Sequence, residues 1–336
     1  MFDAPWFEDF AVGNDYSEVP SVTITEGHTA IHQAIFGDRL RLPLDHVLSQ
    51  KVTGEERALV NPSLVCNLAI GQTTIPSQRV MGNLFYRGLV FRKPVFVGDT
   101  LTTSTKVVGL KQNKAKPNRP ASGMVALEIH VQNQRGETVL FFWRCPMIPC
   151  RNPEAETGHN DSFDIMPELI DIESLKEAVP TWDLNAFRTK SPEHHFENLP
   201  LNQLLTVEAR DTVTLAPELV RMTLNMAMTH TDATRSVYGK RLVYGGHTIS
   251  IAAAQLSRIL PNMVTVMGWF HCDHVGPVFE QDILTTRVTL LEKHATTSGG
   301  IACLHVETYA LRDPSDPSDP TAETKVLDWR MAALFA

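Results

Sequence analysis

PVFVGDTLTT at residues 94–103 returns as PVFEQDILTT at residues 277–286, with seven of ten positions identical at an offset of 183. Alternating apolar positions follow in both places, Val107 and Leu110 in one, Val288 and Leu290 in the other. A Trp-Arg pair recurs at Trp143-Arg144 and Trp329-Arg330, 186 residues apart. A β-branched run, SVTIT at 21–25, has its counterpart in TVTL at 212–215. Three matches in one order, at similar offsets, indicate a duplicated domain. The period is far longer than the roughly 20–50 residues of solenoid repeats.

Each copy reads in the same order: a β-branched strand, a short helix, an irregular stretch, a longer apolar helix, then strands. The apolar helix is predicted at 62–75 (PSLVCNLAIGQTTI) and at 246–260 (GHTISIAAAQLSRIL). Apolar alternation predicts strands at 79–91, 99–111, 122–134 and 137–148, and again at 263–275, 282–294, 299–312 and 325–335. One helix followed by a run of antiparallel strands is an α+β pattern, a sheet wrapped around a buried helix. The expected organisation is a first domain over 1–150, a linker over 151–195 and a second domain over 196–336. The Pro-, Asn-, Glu- and Ser-rich stretch around the linker predicts one short helix at 166–178, and DPSDPSDP at 313–320 predicts a surface loop.

With 336 residues, 43% hydrophobic and 20% charged, the chain is globular rather than disordered. No apolar run approaches the ~20 residues that span a bilayer, and the acidic, aromatic start MFDAPWFEDF is unlike a signal peptide. A cytoplasmic location is therefore expected. A net charge of −8 speaks against broad attraction to nucleic acid or anionic membrane. Five scattered cysteines (Cys66, Cys145, Cys150, Cys272, Cys303) fit reduced thiols better than a disulfide framework.

The chemistry concentrates in LNMAMTHTDATRSVYGKRLVYGGHTIS, residues 224–250. Asn225, His230 and Asp232 stand shortly before Gly245-Gly246, which opens the apolar helix. A histidine is the natural acid or base near neutral pH, and an amide or carboxylate nearby can orient it or share its water. Glycines at a helix N-terminus expose N–H groups and a positive dipole end, which suit an oxyanion developing on a carbonyl. The competing reading is an ordinary polar loop histidine beside a tight turn. The first copy acts as an internal control. There IFGDRLRLPLDH (35–46) offers Asp38 and His46 at another spacing, and VNPSL replaces VYGGHTIS, so the glycine pair is missing. The copies thus share a scaffold and differ in job, with the working site in the second.

These residues carry a resemblance to the MaoC-like, R-specific enoyl-CoA hydratase (hydratase 2) family. Its motif of Asp, His five residues later and a Gly opening the central helix aligns with Asn225, His230 and Gly246. Within that family the chain is similar to the mesaconyl-CoA hydratase (β-methylmalyl-CoA dehydratase) branch, through WFEDF at 6–10, TITEG at 23–27, GDTLTTSTKVVGLKQNK at 98–114 and GKRLVYGGHTIS at 239–250. The resemblance implies a tandem hotdog fold and a hydro-lyase acting on a short branched or dicarboxylic enoyl-CoA. Asn225, His230 and Gly246 would be catalytic, Asn225 orienting His230, with Asp232 a substitute for the missing carboxylate. Arg235, Lys240, Arg241, Tyr244, Gly245 and His247 are candidates for contacts with substrate or CoA, each with a plain surface or structural alternative. The first copy would wall the pocket. CoA enters as part of the substrate, and no metal or other cofactor is expected; association of such chains into homo-oligomers stays open.

Two other readings of the same residues remain: a hotdog acyl-CoA thioesterase, and a non-catalytic acyl-CoA-binding protein. His271-Cys272-Asp273-His274 has metal-ligand chemistry, but on a strand these residues alternate faces and do not converge on one ion. Walker A, GxGxxG and GxSxG motifs are absent.

Overall fold

The computed structural model describes residues 4–114, 119–188, 195–312 and 323–336. The first half opens with β1 (Val22–Thr23) and helices α1 (Glu26–Phe36), α2 (Arg41–Leu44) and α3 (His46–Thr53). The central helix α4 (Pro62–Gln72) follows, then β2 (Gly82–Phe91), β3 (Thr100–Gln112), β4 (Ser122–Gln132) and β5 (Thr138–Pro149). Two short helices, α5 (Ile172–Glu177) and α6 (Leu184–Phe187), lie in the connection. The second half repeats the plan with β6 (Leu204–Thr206), β7 (Asp211–Thr212), α7 (Ala216–Met222) and α8 (Met228–Thr231). Its central helix α9 (Gly245–Ile259) precedes β8 (Met263–His274), β9 (Ile283–Ala295), β10 (Gly300–Leu311) and β11 (Glu323–Phe335). The expected central helices and eight long strands differ from these by up to three residues at their ends. The DPSDPSDP stretch lies outside the described residues.

All the pairings are antiparallel, and one eleven-stranded sheet runs through both halves in the order β1-β3-β4-β5-β2-β8-β11-β10-β9-β6, with β7 also on β9. The halves join where β2 pairs with β8, Tyr86 opposite Cys272 and Leu89 opposite Trp269. Each central helix lies in the curl of its own half-sheet. Every residue of α4 is buried, as are Gly246–Ser257 of α9. A helix apolar on all faces needs such complete enclosure, and α4 and α9 supply it by also packing on each other. Asn67 Nδ2 donates to Ser250 Oγ at 2.8 Å across that crossing. Among the described residues no helix is long and apolar enough to cross a membrane.

The connection does more than link. In place of one helix at 166–178 it forms α5 and α6, and it folds back over the outer face of the sheet. Leu175, Leu184 and Phe187 are buried there with Val90, Val264, Met267 and Leu334. Sheets with one bare apolar face need cover, and this segment provides it. Arg41 stacks its guanidinium 4.3 Å from the Phe187 ring and donates to the Phe187 carbonyl at 2.9 Å.

Phe187→Ala is expected to lower the unfolding free energy by about 3 kcal/mol or more, the usual loss for a fully buried phenylalanine. Denaturant unfolding at neutral pH checks this; a change under about 0.5 kcal/mol, typical of exposed loop positions, would show the connection to be passive.

Candidate active site

The two central helices begin differently, and the difference follows from sequence. Asn61 caps α4, its Oδ1 accepting from the Ser63 N–H at 2.8 Å, and Pro62 occupies the first turn without an N–H to offer. At α9 the N-cap is Tyr244, which makes no side-chain cap, and Gly245 and Gly246 fill the first turn. The first N–H groups of a helix have no intrahelical acceptor, so α9 presents bare donors where α4 has satisfied or removed its own.

Gly245 of this helix start lines a cavity of about 220 Å³ at the seam between the halves. Asn225, His230, Tyr244, Gly245 and His274 line it from the second half, and Thr74, Ser77, Tyr86 and Arg144 from the first. The chain reaches it through a tight turn after α7, with Leu224 in the left-handed region at φ 57°. His230 sits on α8, and its Nδ1 lies 2.7 Å from the Leu242 carbonyl oxygen. A carbonyl only accepts, so Nδ1 carries the proton and Nε2 is the basic atom available to the cavity. Burial pushes the imidazole down to about 4, with the Arg144 charge acting in the same direction and the Leu242 bond opposing it. His230 is therefore a neutral base at physiological pH.

Leu242, rather than Asn225, orients His230. Asn225 Oδ1 is committed to the Ala227 N–H at 2.9 Å, which leaves its amide N–H₂ as the free end of the side chain. Gly245 is the glycine on the cavity wall, and a Cβ there would stand 2.4 Å from His274 Nε2. Gly246 faces the helix crossing instead, where a Cβ would meet Asn67 Oδ1 at 2.1 Å. Tyr244 lies with its ring 5.7 Å from that of His230 and donates its hydroxyl to the Asn67 carbonyl at 3.2 Å.

The remaining expected residues lie away from the cavity wall. Asp232 is exposed and caps the turn at 233–235, its Oδ1 accepting from the Thr234 N–H at 2.9 Å and hydroxyl at 2.7 Å. It offers no carboxylate to His230. Arg235 is exposed, Lys240 rests its Nζ 3.7 Å over the Phe279 ring, and Arg241 pairs with Glu280. His247 is buried rather than in the cavity or in solvent, with Nε2 2.8 Å from the Thr214 carbonyl oxygen and its ring against Phe36.

Tyr86, Arg144 and His274 are among the cavity residues that escape a reading by motif. For Arg144 and His274 the signal lies in the strand alternation. Leu140, Phe142 and Arg144 fall on the core face of β5, and Cys272 and His274 on that of β8, so a charged or titratable group stands in an apolar row. His271 and Asp273 project to the other face, where Asp273 pairs with Arg87. Burial pushes His274 down to about 4, with His230 adding to the effect.

No family model matches the chain. In structure it is similar to a conserved hypothetical protein of Mycobacterium tuberculosis described as a double hotdog, at 41% identity, 98% coverage of both chains and a TM-score of 0.88. A putative MaoC domain protein dehydratase from Chloroflexus aurantiacus matches at 26% identity over 100% of this chain and 98% of that one, with a TM-score of 0.85. Among curated relatives, β-methylmalyl-CoA dehydratase of Chloroflexus aurantiacus is 29% identical, covering 92% of this chain and 88% of that protein. Mesaconyl-CoA hydratase of Cereibacter sphaeroides is 27% identical, covering 93% and 90%. The chain belongs to the MaoC-like double-hotdog family of hydratases and dehydratases.

Buried imidazoles also make the fold sensitive to acid. Burial lowers His32 to about 3 and His230, His247 and His274 to about 4, against ~6.5 in the unfolded chain. Between those values the unfolded state binds more protons, so stability is complete above pH ~6.5 and falls as pH drops toward 4. Thermal scans at pH 7, 6, 5 and 4 should show falling midpoints, and His32→Phe should flatten the decline. Midpoints that hold steady to pH 4 would contradict neutral burial.

Proposed function

We propose that this protein is a hydro-lyase that adds water to, or removes it from, the acyl double bond of a short branched or dicarboxylic enoyl-CoA, with mesaconyl-CoA and β-methylmalyl-CoA as the model pair. One observation carries this: a neutral histidine base and an uncapped helix N-terminus share one cavity, while the duplicated half has an Asn cap and Pro at the same helix start. The names of the curated relatives agree with it. The cavity volume is below the ~300–1,000 Å³ of sites that enclose whole drug-sized ligands. A short acyl group would enter it while the bulk of CoA stays outside, near the surface basic residues Lys240 and Arg241.

In the hydration direction His230 Nε2 takes a proton from water as the water oxygen bonds to Cβ. The π electrons move through Cα to the thioester oxygen, where the first-turn N–H groups of α9 and the helix dipole stabilise the enolate. The Asn225 amide donates to the attacking oxygen and places it; it has no proton to take. The enolate then collapses, and Cα receives the proton held on the imidazolium, which restores neutral His230. Dehydration is the reverse, and the chemistry as written calls on no further cofactor.

His230→Ala should lower kcat by about 10²–10⁴, the range for loss of a general base, followed as the absorbance of the conjugated thioester. Because the His230 pKa is depressed, kcat/KM should stay on a plateau through neutral pH and fall only as pH approaches 4. Full turnover in His230→Ala would remove the assigned base. Release of free CoA thiol without a change at the double bond would make the protein a thioesterase.

A further inference from the structure

Arg144 is an unusual cation. It is 3% exposed, on the core face of β5. Its guanidinium donates from Nη1 to Thr73 Oγ1 at 2.8 Å and from Nη2 to Ser77 Oγ at 2.5 Å. Both partners are neutral hydroxyls. Among the described residues no carboxylate forms an ion pair with it. Its Nε is buried without any partner, so of five N–H donors only two are engaged. A buried charge left without a counter-charge is strongly unfavourable.

The scaffold does not require a cation there. A row of paired residues crosses four strands: Arg144 opposite Tyr86, Tyr86 opposite Cys272, Cys272 opposite Trp329. Trp329 thus occupies in the second half the position that Arg144 holds in the first, and it fills the core as a neutral ring, 1% exposed. The half with the indole packs; the half with the guanidinium faces the cavity that holds His230.

We propose that Arg144 is the specificity residue of the site and binds a carboxylate carried on the acyl group, so that the natural substrate is the monothioester of a short unsaturated dicarboxylic acid. This rests on the reading of the cavity as a hydratase site. Thr73 and Ser77 hold the guanidinium plane, and its remaining donors present the fork that matches a carboxylate. The acyl carboxylate supplies the counter-charge that the described residues do not. A substrate ending in methyl instead would leave the charge unpaired, which is how a polar site rejects an apolar isostere.

The test compares mesaconyl-CoA with tiglyl-CoA, in which a methyl replaces the carboxylate. Affinity is read by calorimetry and turnover by thioester absorbance, for the wild type, Arg144→Gln and Arg144→Lys. The wild type should bind mesaconyl-CoA about 30-fold or more tightly than tiglyl-CoA, as for loss of one partner of a buried charge pair. That ratio should collapse to within about threefold in Arg144→Gln and fall by only about threefold in Arg144→Lys, which keeps the charge without the fork. Equal affinity of the wild type for both thioesters would overturn the proposal without any variant. An unchanged ratio in Arg144→Gln would also overturn it, as would an unchanged ratio in Arg144→Lys should the Gln variant not fold. If the wild type turns over neither thioester yet shows the binding preference and its loss, the hydratase reading fails and the carboxylate site stands.

Discussion

Everything in this molecule depends on the seam where β2 pairs with β8 and α4 crosses α9. A single half would leave β2 as a long unpaired edge and α4 with one bare apolar face, and neither is tolerable in water. The partner half satisfies both at once. At the crossing the two helices approach closely enough that Gly246 has no room for a side chain beside Asn67, and Asn67 in turn bonds to Ser250. The cavity opens at this seam, so its walls are necessarily drawn from both halves.

Duplication alone would give two equivalent helix starts, and the two differ. Asn61 and Pro62 silence the donors of α4, while Tyr244-Gly245-Gly246 leaves those of α9 open. The cleft at the start of α4, lined by Pro62, Val65, Lys93 and Pro94, is bordered by Ala178, Pro180 and Trp182 of the connecting segment. That segment therefore covers the outer sheet and also walls the cleft at the start of α4. The same asymmetry appears on the strands, as Arg144 in one half and Trp329 in the other.

The Trp-Arg recurrence shows how far a repeat can be read in one dimension. Trp143-Arg144 and Trp329-Arg330 match as letters, yet in the sheet Arg144 and Trp329 hold equivalent places, and Arg330 projects outward to Glu292. A shift of one residue exchanges the faces of a strand, so the matched pair has opposite orientation in the two halves. The segment PVF..D.LTT does not suffer this. Asp99 and Asp282 each accept backbone N–H groups in the turn before a strand, from Phe96 and Phe279. A motif that serves a local turn keeps its register.

Legible in the chain alone is the local and periodic part: the duplicated α+β plan, both central helices, the eight long strands, and the placing of His230 shortly before a glycine-opened helix. Those properties depend on residue type and on spacing along one strand or helix. Tertiary structure decided which atom does what. It replaced Asn225 with the Leu242 carbonyl as the partner of His230, sent Asp232 to the surface, and brought Arg144, Tyr86 and His274 to the wall. These outcomes depend on which strands and loops meet across the seam, tens to more than a hundred residues apart, and no spacing rule records that. A cation on the core face of β5 is visible in the sequence only as a break in the apolar alternation; that no carboxylate among the described residues pairs with it becomes evident once the neighbouring elements are in place.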